Sequence, residues 1–326
     1  MIEYVNYFKT SCSQCGKNED VYAVGGNFVC YNCLTKKEHK KGNWFDVITP
    51  KNLNEFIGQD HIKEELNTMI KASKVHNIPV QSCLFSGSFG IGKTVLARIF
   101  ASMIGENEFV IASSIKELED LPNSKCVIVD ETHTIKNEEI LLHAMDRGEQ
   151  TILGATTNSG NLSGPLRSRF VMFTLKPYKV EELKLIVQNV SNNLNYKCPE
   201  YVATAVAQRG KFVARTAILL FKTVYDRIVL NGKVDNNLID TWFKDMDIDF
   251  NGLDRADKMY LKCLSDRPIG LQNISAVTGL DVMTLQEVVE PYLLVRGFVR
   301  RTPKGRILGD YKPISAEINK NEDNKM

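Results

Sequence analysis

The sequence predicts an α/β protein: a phosphate-loop core with a helical lid, a C-terminal winged helix and an N-terminal zinc ribbon. Three observations carry that prediction. A glycine-rich loop joins an apolar strand to a helix-compatible stretch at residues 83–98, CLFSGSFGIGKTVLAR. A second apolar run, Cys126 to Val129, ends in the paired acids Asp130 and Glu131. Near the C-terminus an arginine-rich strand–turn–strand pattern, FVRRTPKGRIL, follows three helical stretches. The 326 residues leave room for several units around a sizeable core. We divide them into residues 1–43 (ribbon), 44–176 (core), 177–248 (lid) and 249–313 (winged helix), with a polar tail at 314–326 expected to be disordered.

At the N-terminus, Cys12 and Cys15 form one C-x-x-C pair and Cys30 and Cys33 another, fourteen residues apart. The stretch between them reads as a hairpin turning at Gly25-Gly26. Two such knuckles brought together offer four thiolates in a tetrahedron, the closed geometry preferred by structural Zn²⁺. So short a segment builds little core, so the metal would supply its folding free energy. A redox dithiol and an iron–sulfur site are the alternatives, and neither pair sits in the βαβ context of a thioredoxin-like motif. With no open coordination position, such a zinc points to docking rather than catalysis. The remaining cysteines (83, 126, 198 and 263) are scattered singly, which argues against a disulfide framework.

The core begins near Trp44. Helical periodicity over Asp60 to Val75 places Ile62, Leu66, Met69 and Ile70 on one side. The loop Gly87-Ser88-Phe89-Gly90-Ile91-Gly92-Lys93-Thr94 fits G-x-x-x-x-G-K-[ST] without a mismatch, in the strand–loop–helix context that the motif requires. Gly87, Gly90 and Gly92 allow the tight backbone that aims N–H groups and a helix N-terminus at phosphates. Lys93 is expected to neutralise the β- and γ-phosphates of a nucleoside triphosphate, and Thr94 to ligate Mg²⁺. Asp130 and Glu131, at the carboxyl end of an apolar strand, are expected to complete the Mg²⁺ shell and to activate water respectively. A further strand, Thr151 to Ala155, ends in Thr156-Thr157-Asn158, whose polar side chains are candidates for the γ-phosphate or the lytic water. Two arginines follow, Arg167 and Arg169; the choice at this point lies between surface charge and a residue that reaches a neighbouring subunit's site.

Together, ITPKNLNEFIGQ (48–59), GSFGIGKT (87–94), VIVDETH (127–133), GATTN (154–158) and GPLRSRF (164–170) resemble the AAA+ ATPases. Within them the similarity is to the RuvB-like motors of Holliday-junction branch migration, from about Asp46 to Leu308. The resemblance implies that Arg169 is the arginine finger acting in trans, with Arg167 as the alternative, and that Thr157 is the polar sensor. It also implies an adenine pocket lined largely by backbone of the 48–59 segment, including Ile48, Thr49 and Ile57. Thr49 replaces an arginine of the family there. A ring, expected to be a homo-hexamer, follows from a finger supplied in trans.

The lid is read as four helices, Val180–Asn193, Pro199–Gln208, Val213–Leu230 and Asn236–Phe243. By the same resemblance Tyr178 packs on the nucleotide. RGKFVARTAILLFKTVYD is similar to the family's second-sensor helix with two extra residues after Gly210. That gap puts Arg215 on the sensor position; without it Val213 falls there, and Arg209 is the other candidate.

In the C-terminal unit, helices at 254–265, Leu271–Thr278 and Val282–Val295 and a hairpin turning at Pro303-Lys304-Gly305 make a winged helix. Arg296, Arg300, Arg301, Lys304 and Arg306 put five positive charges in eleven residues without an acid. On a chain of net charge +2 this is a local patch suited to DNA phosphates, duplex or branched, rather than to base reading. A solvated basic hairpin is the alternative. The resemblance singles out Arg301 and Arg306 as DNA contacts.

One departure from the family stands out. Five residues separate Met145 from Thr151, where the family carries a hairpin that docks on its partner RuvA. The expectation is that no RuvA-type partner binds through this surface, and that the zinc module recruits instead. The expected function is an ATP-dependent DNA motor, with an AAA+ loader of a sliding clamp or replicative helicase as the alternative. A non-enzymatic DNA-binding regulator is disfavoured by the intact set Lys93, Thr94, Asp130, Glu131 and Arg169. No stretch of the sequence reads as a leader or membrane span, so a cytoplasmic protein is expected.

Overall fold

The computed structural model describes residues 8–11, 18–24, 27–30, 44–105, 109–112, 126–148, 150–232 and 234–311. The first three segments are strands β1 (Phe8–Ser11), β2 (Asn18–Val24) and β3 (Asn27–Cys30), antiparallel in that order. Val24 pairs with Asn27; Gly25 and Gly26, where the sequence places the turn, lie outside the described residues. Cys12, Cys15 and Cys33 lie outside the described residues, and of Cys30 only its place at the end of β3 is described.

The core is a five-stranded parallel sheet. Its strands are β4 (Cys83–Ser86), β5 (Phe109–Ala112), β6 (Cys126–Val129), β7 (Thr151–Thr156) and β8 (Val171–Thr174). Their order is β5-β6-β7-β4-β8. Every residue of β4, β6 and β7 is buried, as expected of central parallel strands covered on both faces. Alternation along the strands divides them between two apolar clusters. Cys83, Phe85, Cys126, Ile128 and Leu153 face one side, where α2 (Asp60–His76) and α3 (Lys93–Ile104) pack. Leu84, Val127, Val129 and Ile152 face the other, against α4 (Glu139–Arg147) and α5 (Gly164–Ser168). A short helix, α1 (Trp44–Ile48), precedes them. This order sets the end of β7 between the ends of β4 and β6, so the three loops that follow these strands converge. Ligand sites in open parallel sheets form at such carboxyl ends.

The lid helices are α6 (Val180–Asn193), α7 (Glu200–Arg209), α8 (Ala214–Asn231) and α9 (Asn236–Asp245), within one or two residues of the sequence reading. Their buried faces extend the first apolar cluster of the core. The C-terminal unit has its own cluster, centred on Tyr260, Ile274, Leu285 and Leu293. It is built from α10 (Arg255–Lys262), α11 (Leu271–Thr278), α12 (Val282–Thr284), a π-helical turn (Leu285–Val289) and α13 (Glu290–Val295). The hairpin β9 (Val299–Thr302) and β10 (Gly305–Leu308) follows. Ile269 bridges Arg306, adding a third, short element to the wing. The sequence reads Val282–Val295 as one helix; the structure interrupts it with the π turn, just before Glu290. No helix among the described residues is long and apolar enough to cross a membrane.

Candidate functional site

The loop after β4 opens the site. Gly87 has φ +142° and Gly90 φ +73°, conformations that L side chains avoid. A Cβ on Gly87 would lie 2.9 Å from the Leu175 carbonyl oxygen, and one on Gly90 2.8 Å from the Val213 side chain and 3.0 Å from Arg215 Cβ. Gly92, also at positive φ, caps α3, whose first residue is Lys93. The loop thus runs against the lid on one side and delivers its backbone amides to the helix N-terminus on the other, an anion-binding arrangement.

Lys93 is 5% exposed, and its Nζ donates to the carbonyls of Gly87 (3.0 Å) and Ser88 (2.9 Å). Burial pulls its pKa below the usual lysine value, against the pull of the Glu131 and Asp130 carboxylates. Thr94 Oγ1 donates to Asp130 Oδ1 at 2.9 Å, so the end of β6 and the start of α3 bring two hard oxygen donors together. Among the described residues no group of three or more His, Cys, Asp or Glu side chains is placed to hold a metal. Mg²⁺ takes one or two protein oxygens and completes its octahedron with water and substrate phosphates. Thr94 and Asp130 fit that ion.

Glu131 adopts φ 43°, a left-handed conformation unusual outside glycine and concentrated at functional positions. The turn aims its carboxylate across to β7, where Oε2 accepts from Thr157 N (3.2 Å) and Thr157 Oγ1 (3.1 Å). His133 Nδ1 sits 3.3 Å from the same oxygen and 2.9 Å from Thr156 Oγ1. Thr157, expected to face phosphate or water, therefore holds Glu131 here. His133 is a member of the site that the sequence reading did not single out. Its only signal was its place two residues after the acid.

From the lid, Arg215 N donates to the Gly90 carbonyl at 3.0 Å, and the Arg215 charge bears on Lys93. Arg209, the other sensor candidate, is 4% exposed and spent elsewhere. It donates to Asp240 (2.9 Å) and the Ala205 carbonyl and stacks over Phe243 at 4.3 Å. Val213 caps α8. Tyr178 is buried, with its hydroxyl donating to the Ile91 carbonyl at 3.0 Å, and burial pushes its pKa up. Ile48 is buried and Thr49 and Ile57 half-buried in the segment before α2. That segment is fixed by Gln59, whose side-chain amide exchanges hydrogen bonds with Lys176 N (3.0 Å) and O (2.7 Å). Phe56 packs on Gly92, 3.1 Å from where a Cβ would stand.

Arg169 makes a different set of contacts. Its Nε and NH2 donate to the two oxygens of Asp146 on α4 at 2.7 and 3.0 Å, a bidentate pair, and NH1 donates to the Pro165 carbonyl. The Arg169 hydrogen bonds hold the Asp146 carboxyl below its usual range and raise the Arg169 pKa in turn. Arg167 is exposed. α4 ends at Arg147 and β7 begins at Thr151, the short connection read from the sequence.

The basic residues of the wing divide into two groups. Glu290, fully buried, accepts from Arg301 Nε (3.0 Å), Arg306 Nε (2.7 Å) and the Tyr260 hydroxyl. Burial pushes its carboxyl up, but the hydrogen bonds from Arg306, Tyr260 and Arg301 outweigh it and hold the pKa below the usual range. Arg306 and half of Arg301 thus neutralise an internal acid. Arg300 is exposed and 3.5 Å from Asp310, and Lys304 is exposed at the turn. Arg296 stacks over Tyr311 at 5.5 Å, with its Nε and NH2 buried and unpaired.

Residues 48–175 match the family model for the Holliday junction DNA helicase RuvB P-loop domain, and 250–311 match the RuvB C-terminal winged helix domain. The Holliday junction branch migration complex subunit RuvB of Thermotoga maritima is 33% identical over 88% of this chain and 98% of its own. The subunit of the same name from Campylobacter jejuni is 35% identical over 80% of this chain and 88% of its own. The solved Thermotoga maritima RuvB motor superposes with a TM-score of 0.74 at 32% identity, covering 84% of this chain and 98% of that one. With the phosphate loop, the acidic strand end, the lid arginine and the winged helix in one connected arrangement, the chain belongs to the RuvB family of AAA+ ATPases.

Proposed function

We propose that this protein is an ATP-dependent DNA motor that drives branch migration of Holliday junctions. The observation that carries the reading is the convergence of Lys93, the Thr94–Asp130 pair, Glu131 and Arg215 on one loop of a chain that also ends in a winged helix. Lys93 neutralises the β- and γ-phosphates of the substrate ATP, and the loop amides cradle them. Thr94 and Asp130 hold Mg²⁺, which when bound offsets the charge that develops on the transferred phosphoryl group. Glu131 accepts the proton of the attacking water once Thr157 releases its carboxylate. Arg215 carries the nucleotide state into the lid. The winged helix, matched by a family model of its own, favours the motor over the loader reading.

Arg169 acts in trans, completing the site of the next subunit in a homo-hexameric ring. The exposure of the Arg169–Asp146 pair supports a finger offered to a neighbour. DNA phosphates meet Arg300, Lys304 and the free part of Arg301 at the wing, with Arg296 behind them. Cys12, Cys15, Cys30 and Cys33 hold a structural Zn²⁺, which the hairpin register of β2 and β3 supports. This zinc module recruits the protein in place of a RuvA-type partner, for which the short α4–β7 connection leaves little to dock on. The protein acts in the cytoplasm. ATP turnover without DNA and with single strands, duplexes and four-way junctions tests the motor reading. Duplex-stimulated hydrolysis abolished by Lys93→Ala is expected, and stimulation only by a clamp or replicative helicase would favour the loader.

A further inference from the structure

Lys211 and Phe212, which follow Gly210 between the lid helices α7 and α8, have a structural role of their own. Lys211 and Phe212 both adopt left-handed backbone, with φ 52° and 62°. For a long and an aromatic side chain this is an uncommon conformation that the surroundings must hold in place. Both side chains leave the lid and enter the winged-helix unit. Lys211, 15% exposed, donates through Nζ to Asp254 Oδ2 (2.6 Å) and to Asp257, which is itself 1% exposed. Those two aspartates form the reciprocal cap of α10. Phe212 packs on the winged-helix cluster, its ring 5.5 Å from that of Tyr292.

The backbone on either side of these residues belongs to the nucleotide site. The Phe212 carbonyl accepts from Tyr178 N at 3.0 Å, and the Tyr178 hydroxyl donates to Ile91 within the phosphate loop. Val213 and Arg215 bear directly on Gly90, where a Cβ would find them at 2.8 and 3.0 Å. Five consecutive residues therefore run from the interior of the DNA-binding unit to the loop that cradles phosphate.

We propose that Lys211 and Phe212 are positioning residues that couple the winged helix to Arg215, so that DNA held by the wing sets the arginine and thereby the rate of ATP turnover. The proposal rests on the motor reading above. It is tested on the full-length protein with Phe212→Ala and Lys211→Met, measuring kcat and KM for ATP without DNA and with saturating duplex, and duplex affinity by anisotropy. The expected result is a DNA-free kcat and KM close to wild type and retained duplex affinity. The stimulation ratio should fall at least about fivefold, the lower end of ordinary coupling between sites. A purely structural role would lower the free and stimulated rates together and leave their ratio intact. Phe212→Leu, which keeps an apolar anchor, should restore much of the ratio and covers the case in which the alanine variant misfolds.

Wild-type stimulation kept in full by both variants overturns the coupling alone. A ratio that recovers as duplex is raised overturns it too, since these residues would then serve binding only. A wild-type enzyme indifferent to duplex overturns the motor reading and the coupling with it.

Discussion

Replacing Arg306 by methionine separates the two roles that a basic wing can have. The side chain keeps much of its apolar length and loses the guanidinium that donates to Glu290, a carboxylate with no exposure. Removing one partner of a buried ion pair costs about 3–5 kcal/mol when the remaining charge is left bare. Here Arg301 and Tyr260 still donate to the same carboxylate, so we place the loss at about 2–3 kcal/mol, the worth of hydrogen bonds to a charged group. For a unit the size of the winged helix each kcal/mol shifts the melting temperature by about 4–8 °C, so its transition should fall by about 8–24 °C. Scanning calorimetry of the intact protein reads this directly. Arg300→Ala is the contrast: its pair with Asp310 is long and exposed, and such pairs contribute about 0–1 kcal/mol. That variant should melt like wild type, yet lose about one unit from the slope of log affinity for duplex against log salt. An Arg306→Met protein that melts like wild type and loses only DNA affinity would refute the assignment of Arg306 to Glu290.

Other outcomes follow from the same contacts. Arg169→Ala should bind ATP as wild type does while kcat falls by about 10³ or more, the usual contribution of an arginine finger, and unchanged turnover would rule out the trans assignment. Glu290 has a depressed folded pKa, so its stabilisation is complete above the unfolded value of about 4.3 and is lost as pH falls through the folded one. Acid melts of wild type against Glu290→Gln should converge below that range; a constant gap would show that the carboxylate is not charged in the fold. Metal analysis of purified protein should return one zinc per chain, released by Cys12→Ser, and a metal-free protein with all four thiols reactive would remove the ribbon.

Much of this architecture was legible in the sequence because the signals were local. β4, β6 and β7 are short, largely apolar runs broken only at their ends by Ser86, Thr151 and Thr156, and their complete burial is what such runs indicate. The phosphate loop, the acids after β6 and the wing turn are contiguous motifs whose geometry is set within a few residues. What escaped was pairing across the chain. Asp146 meets Arg169 over 23 positions, Glu290 meets Arg306 over 16 and Lys211 meets Asp257 over 46. The eleven-residue window that made the wing look uniformly basic begins six positions after Glu290, the acid that two of its arginines neutralise. Nor does the sequence distinguish a threonine that faces the phosphate from one that holds Glu131, since both stand at the same strand end. The π turn before Glu290 did carry a signal that the periodicity reading passed over, Pro291, which lacks the N–H that a continuous helix needs there.

The central claim is that ATP turnover at Lys93 and Glu131 moves DNA junctions through the winged helix. Dissociation of a labelled synthetic four-way junction, followed with wild type and with Lys93→Ala, tests it most directly. The account predicts ATP-dependent conversion of the junction to duplex arms by the wild-type protein and none by the variant. A wild-type protein that hydrolyses ATP on duplex DNA yet leaves the junction intact under every condition would contradict it.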